Sequence, residues 1–401
     1  MKKIHLLTNS IQNYAWGSHS AIAELLGHDA PSKEPQAEMW MGAHPKAPSV
    51  IEINNEQQPL INLIKKYPSE ILGQSISKIY GNELPYLFKV LAAEAPLSIQ
   101  AHPDADQAAS GYRRENDLAI PIDAPHRNYR DDCHKPECIC ALTPFWGLCG
   151  FRKIQEMLTT LKRVCPQTLD RQCRHLKERP DTAGLKAFFQ SIMTMEQEKV
   201  RKVVQEAVVQ ADIRNGEDDV FDWITRLSAV YPGDIGVIFP AILNLVCLQP
   251  GEALFLPAGE LHAYLHGVGI ELMANSDNVL RGGLTPKHVD VPELMNVLTF
   301  QEKGIDILTP ETCRPHEKLY RTPSKEFELS VITLEQGDGY EGPAERSAEI
   351  MLVAGGNVEI LENGSGEVIK MEKGMSVIVP AAVTSYRMIG EGVIYKAAVP
   401  M

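Results

Sequence analysis

The chain has 401 residues, 44% of them hydrophobic and 23% charged, with a formal net charge of −13. This length exceeds one ordinary core, so two or three compact units are expected, and the composition is that of a soluble globular protein. The acidic balance excludes nucleic acid and an anionic membrane as main partners, so an anionic ligand would need a local basic cluster.

The start, Met1-Lys2-Lys3, is basic, but Asn9, Ser10, Gln12 and Asn13 break the apolar stretch too early for a secretory signal. The longest uncharged apolar run, 235–248, is shorter than the ~18 residues a membrane span needs. Eight cysteines in a chain this long make no disulfide framework and fit a reducing compartment. The expectation is a cytoplasmic, monomeric protein.

Up to about residue 150, short apolar runs such as Ser49–Ile53 and Pro96–Gln100 are broken by Gly, Pro, Asn and Asp, which predicts strands and turns. A helix over Leu60–Lys66 interrupts them. Between 152 and 232, Ile154, Met157, Leu158 and Leu161 recur at helical spacing, as do Val200, Val203, Val204, Ala207 and Val208. Asp181-Thr182 and Glu217-Asp218-Asp219 read as helix starts, with acidic groups at the positive end of the dipole. This block is predicted to be an all-helical insertion.

Strand texture returns at about 245. Residues 303–323, with three prolines, read as a linker. Beyond it, Phe327, Leu329 and Val331 alternate with Glu326, Glu328 and Ser330, predicting a small β domain with one polar face. The segment Gly251 to His262 has the pattern G-x5-P-x-G-x2-H. Gly374 to Ser385 repeats its glycine, strand and Pro-Ala step, with Ser385 in the place of His262. Two related β-barrels are expected, of which only the first keeps this histidine.

Four segments carry candidate chemistry. In Gln100-Ala101-His102, a spacing of two on a strand puts both side chains on one face. In His134-Lys135-Pro136-Glu137, Pro136 holds Lys135 extended, so Lys135 and Glu137 project to the same side, as an ion pair or as a carboxylate ligand with a cationic neighbour. The segment ending at His262 resembles the second motif of the cupin superfamily, in which the histidine binds metal. After it, the run to Lys287 packs Glu271, Asp277, Arg281 and Lys287 into a Gly-rich stretch suited to a cavity rim. Cys138-x-Cys140 lacks a second spaced pair and is read as two small strand residues.

The run His262–Lys287 resembles the long signature of type I mannose-6-phosphate isomerases, departing mainly at Gly282, where that family has Ala. Tyr129 to Glu137 is similar to the family's Y-x-D-x-N-H-K-P-E, with Cys133 in place of Asn. Asn13–Gly17 and Trp40–Pro45 also resemble family segments. The resemblance implies a mainly β fold with a helical insertion. In chain order this is a cupin-like jelly-roll catalytic barrel (1–151 and 233–305), the inserted α-helical domain (152–232) and a second, degenerate jelly-roll-like β domain (306–401).

It further implies one zinc ion held by Gln100, His102, Glu137 and His262, a mixed N/O set that suits zinc. Arg281, Lys89, Lys135, His134, Glu271 and Asp277 are implied as catalytic residues, and Trp16, Lys287 and Arg281 as contacts to a sugar phosphate. The implied reaction is the interconversion of mannose 6-phosphate and fructose 6-phosphate through an enediol, supplying mannose for GDP-mannose. For ring opening, His134 and Asp277 are the expected acid/base pair. For the proton moved between C2 and C1, Lys89, Glu271 and Lys135 stay open as bases, a lysine qualifying where burial or a nearby cation lowers its pKa. The competing readings are another metal-dependent cupin enzyme and a non-catalytic sugar-sensing cupin.

Overall fold

A computed structural model of the chain describes residues 1–363 and 366–401. Among the described residues, the strands gather into a ten-stranded and a nine-stranded sheet, with a separate hairpin of Val50–Ile53 and Glu56–Pro59. The first sheet is organised around the strand His262–Ala274. Its early part pairs with Phe145–Phe151, and its later part with Tyr86–Ala93 on one side and Glu137–Ala141 on the other. The change of partners falls at Gly267, whose φ of 126° is open to glycine and strained for other residues. A Cβ there would lie 2.7 Å from the Pro144 carbonyl oxygen. One strand can therefore bend and close the barrel, carrying His262 at one end and Glu271 near the other.

Alternation along Tyr86–Ala93 sorts the two faces. Phe88, Val90 and Ala92 pack with Ile270 and Leu272 against Phe327, Leu329, Ile350 and Leu352 of the C-terminal sheet. Leu91 instead joins Ile139, Leu256 and Tyr264 inside the first barrel. Burying each such side chain is worth roughly 1.5–3 kcal/mol.

The helical block consists of Ile154–Val164, Asp170–Glu178, Thr182–Met193, Gln197–Ile213 and Asp219–Val230. Asp181 and Asp218 cap two of these helices, accepting from the backbone N–H of Gly184 and Val220 at 2.8 and 3.0 Å. Met157, Leu161, Leu185, Phe189, Val203, Ala207, Phe221 and Leu227 form its interior, which is continuous with Ile99, Leu148 and Phe151 on the outside of the barrel.

Two expectations change in the C-terminal part. Residues 303–323 are not only a linker, because Glu311–Arg314 and Glu317–Tyr320 pair with each other and the latter pairs with Glu328–Leu334. The three prolines lie outside both short strands, where no ladder hydrogen bond is needed. The face read as polar is also buried. Ser330 shares it with Ile332 and Leu334 and points into the second barrel, while Phe327 and Leu329 face the first. With a barrel interior on one side and a neighbouring barrel on the other, the strand keeps little solvent exposure, and only Thr333 near its end is exposed.

The predicted repeat has a structural counterpart. In the first barrel, Ala253–Leu256, Glu137–Ala141, His262–Ala274 and Tyr86–Ala93 are successive neighbours. In the second, Ser376–Val379, Glu349–Glu362, Tyr386–Ala398 and Glu328–Leu334 are neighbours in the same way. Gly251 and Gly374 open the matched strands with φ of 88° and 87°. Five residues after each, Leu256 stands opposite Glu137 and Val379 opposite Glu349.

Candidate active site

A cavity of about 530 Å³ opens into the first barrel and is lined by Trp16, Lys89, Gln100, Lys135, Glu137, Glu271, Arg281 and Lys287. Tyr14, Glu38, Ser98, Tyr231, Tyr264 and Thr285 complete much of its wall. A groove of about 630 Å³ between the helices Ile154–Val164 and Asp170–Glu178 is larger, but none of the expected site residues lines it.

Glu137 lines this cavity, and with His102 and His262 next to it offers ligand atoms within 4.8 Å of one another. All three side chains are buried. Nδ1 of His102 lies 2.7 Å from the Asn278 carbonyl oxygen, and Nδ1 of His262 lies 3.0 Å from that of Glu260. A carbonyl can only accept, so both rings carry their proton on Nδ1 and leave an Nε2 lone pair free.

Those lone pairs have no hydrogen-bond partner, although each Nε2 is buried. They lie 3.2 and 3.4 Å from the two oxygens of Glu137, without the alignment of a hydrogen bond. Buried acceptors left unpaired are costly, and two of them beside one carboxylate fit a bound cation. The residues present therefore suit a metal ion. Burial, then the Lys135 ammonium, push His102 down to about 4, so the ring is in its neutral, ligating form at pH 7. Burial pushes the Glu137 carboxyl up, but Lys135 and the two imidazoles overcome it and hold the group well below the usual range. Gln100 faces both His262 and Arg281 across the sheet, so its side chain reaches the same region.

Further along the wall, Lys89 Nζ lies 2.9 Å from Glu271 and 3.7 Å from Glu38. Burial pulls the lysine down, yet the two carboxylates outweigh it and Lys89 is held above its ordinary value, as a protonated ammonium. Burial alone therefore does not bring this lysine into the range of a base. Burial raises Glu271, and Glu137 and Glu38 add to the rise against the pull of Lys89.

At the mouth, burial and Arg130 lower Arg281, while burial, Arg281 and Arg130 lower Lys287. Among the described residues, no carboxylate forms an ion pair with any of these three cations. Cations massed without a counter-ion in an acidic protein make the local anion site that the net charge demands.

His134 and Asp277 are not brought together. His134 Nε2 lies 2.9 Å from Glu326 of the C-terminal part, and Asp277 is 2.8 Å from Lys46 and 3.7 Å from His44. Neither lines the cavity. The alternation that turns Lys135 and Glu137 inward sends His134 to the opposite side. Cys133 leaves its thiol at the surface beside Asp132, so the substitution puts no side chain against the candidate ligands.

Sequence reasoning missed Tyr264, Glu38, Arg130 and Asn278. Tyr264 was readable: it lies two residues beyond His262 on the same strand, and its hydroxyl is 3.4 Å from Glu137 Oε2. Glu38 comes from a distant strand paired to Tyr86–Ala93, and no local pattern marks it.

Comparison with known proteins agrees with this geometry. Residues 4–154 match the catalytic domain of type I phosphomannose isomerase, and 160–243 match the helical insertion domain of that family. The chain is 38% identical to the mannose-6-phosphate isomerase of Escherichia coli (strain K12), covering 96% of this chain and 97% of that protein. It is 36% identical to the Homo sapiens mannose-6-phosphate isomerase, covering 89% and 88%. A crystal structure of a point mutant of the Salmonella typhimurium phosphomannose isomerase superposes with a TM-score of 0.93 at 36% identity, covering 99% of this chain and all of that one. A zinc-bound mannose 6-phosphate isomerase superposes with a TM-score of 0.91 at 35% identity over 99% of this chain and all of that chain. The chain belongs to the type I phosphomannose isomerase family.

Proposed function

We propose that this protein interconverts mannose 6-phosphate and fructose 6-phosphate with one zinc ion per chain. The observation that carries the reading is the pair of unpartnered, buried imidazole nitrogens facing Glu137, in a cavity that also holds a buried acid/base pair and a cationic mouth.

His102, His262 and Glu137 would hold the metal, with the Gln100 amide oxygen as the fourth donor. When bound, zinc supplies a Lewis acid for the substrate oxygens. Glu271 is the better base for the C2 proton, because it is raised above an ordinary carboxylate while Lys89 stays charged. Glu271 takes the proton from C2 and returns it to C1. The Lys89 ammonium, 2.9 Å from Glu271, is placed to donate to the oxygen where charge develops. Arg281, Lys287 and Arg130 receive the phosphate, for which a guanidinium fork is well suited. Trp16 walls the sugar from water. The acid/base pair for ring opening is placed at Lys135 and Tyr264, which line the cavity, and not at His134 and Asp277, which do not. A base and its proton donor on the cavity wall favour an enzyme over a sensor.

The domain division proposed is a catalytic barrel of 1–151 and 233–305, a helical insertion of 152–232, and a β domain of 306–401. His102 and Glu137 precede the insertion and His262 follows it, which supports one barrel made from both flanks. No described helix is long and apolar enough to cross a membrane. The eight unbonded cysteines support a reducing, cytoplasmic setting.

The deciding experiment is a coupled assay of mannose 6-phosphate conversion before and after chelation, with zinc then returned. Turnover should vanish with the metal and come back with it; chelator-resistant turnover would sink the reading. A second expectation concerns the base. Glu271→Gln should lower kcat by roughly 10²–10⁴-fold, the usual worth of a general base, with little change in KM. In the parent enzyme, kcat/KM should fall as pH drops through a value above that of an ordinary carboxylate, because protonated Glu271 cannot accept. A variant that keeps more than a tenth of parental kcat would move the base elsewhere.

A further inference from the structure

Three parts of the site come from separate elements. His102 follows the strand Ile99–Ala101, Lys135 and Glu137 follow the loop 127–134, and Arg281 lies on the strand Leu280–Gly283. One polar knot ties all three. The Asp131 carboxylate accepts at Oδ1 from the Cys133 N–H (3.1 Å), the Ser276 hydroxyl (2.7 Å) and the Asn278 amide (3.1 Å). At Oδ2 it accepts from the Asp277 N–H at 2.8 Å. The Asn278 side chain, wholly buried, accepts from the N–H groups of Arg130 and Asp131 at 2.7 and 3.2 Å. It donates to the carbonyls of Asp131 and Cys133 at 2.8 and 2.9 Å. The carbonyl of that same Asn278 accepts from His102 Nδ1.

We infer that Asp131 is a positioning residue for the metal centre, acting through Asn278 on the imidazole of His102. Asp131 touches neither the candidate ligand atoms nor the cavity. Every one of its four contacts is a donor, so only a group with two accepting oxygens satisfies them. Pinning the Asn278 side chain fixes its backbone, which fixes the direction of the carbonyl, which fixes the ring and the aim of its Nε2. The same knot sets the loop that delivers Lys135 and Glu137, and it ends at Asn278, three residues before Arg281. Partners at this remove from a metal ordinarily change its affinity by about 10–100-fold when lost.

This inference rests on the proposed zinc site and is tested separately from it. Asp131→Asn keeps the shape but turns one oxygen into an NH2 group facing donors. Its zinc dissociation constant, measured by competition with a chromophoric chelator, should rise by about 10–100-fold. Ser276→Ala removes one of the four donors and should give a smaller rise, which keeps the test open if Asp131→Asn folds poorly. Thr168→Ala, which loses a hydroxyl bond to Glu206 in the helical block, shows what lost stability alone does to zinc affinity. A parent protein that binds no zinc would overturn the metal site itself. A parent that binds zinc, with Asp131→Asn and Ser276→Ala binding it equally tightly, would overturn the positioning role.

Discussion

His262→Ala should purify without stoichiometric zinc and without isomerase activity, while Arg281→Ala should keep its zinc and lose most of its turnover. The first expectation follows from how little slack the site has. His262 supplies one of the two imidazole donors in the candidate ligand set, and its Nε2 is already aimed by the Nδ1 contact to Glu260. Replacing it with a methyl group leaves His102 and Glu137 buried, with a carboxylate that has lost one of the groups holding it ionised. The loss in zinc affinity should exceed the roughly 10–100-fold typical of an outer partner. Arg281 reaches the cavity from the opposite strand and has no described ion pair, so its removal leaves the ligands untouched and costs charge stabilisation. Metal analysis and kcat on the two variants check both claims. A zinc-replete His262→Ala would remove this residue from the ligand set, and an Arg281→Ala with near-parental kcat would remove Arg281 from the chemistry.

The two variants also mark what could be read from the chain alone. Local rules performed well where the cause was local. Helical spacing placed Met157 and Leu161 in the core, side-chain caps at Asp181 and Asp218 marked helix starts, and Pro136 oriented Lys135 with Glu137. The same extended geometry, carried one residue back, would have turned His134 away from the cavity. Failures came where the cause was distant. Glu38 owes its place to the pairing of two strands about fifty residues apart in sequence, and the charge state of Lys89 depends on that pairing. Ser330 looked solvent-facing because alternation reports which side of a strand differs, not what covers that side. Covering is a property of the whole fold, and around Leu329 and Ser330 both sides of this strand are covered.

That second barrel supports the largest stability effect expected. Glu349 stands where Glu137 stands in the first barrel, opposite the fifth residue after the matched glycine. Instead of two imidazoles, it faces a lysine: Lys396 Nζ is 3.3 Å from Glu349 and 2.6 Å from Glu317. The three side chains are 1–5% exposed. Tyr340 and Ser330 complete the bonding of Glu317 at 2.8 and 2.7 Å, and Tyr386 donates to Glu349 at 2.8 Å. The ammonium thus does the balancing that a metal cation would do in the first barrel.

Lys396→Met keeps the length of the side chain and removes its charge, leaving buried Glu349 without its lysine and Glu317 with only the half-exposed Arg314 at 3.9 Å. Breaking a buried pair in this way costs about 3–5 kcal/mol. The pH dependence has a definite sign. In the parent, burial raises Glu317, but Lys396 and the hydroxyl bonds outweigh it and hold the carboxyl below its ordinary value. Such a group contributes stability that is present above its unfolded pKa and lost as pH falls through the folded one. In Lys396→Met burial acts without its main opponent, so the folded carboxyl rises and the variant takes up protons that the parent does not. The gap in stability between parent and variant should therefore be widest at neutral pH and narrow as pH falls toward 5. Denaturant melts at several pH values measure it, and a gap that stays constant with pH would show that Lys396 contributes packing and not charge balance.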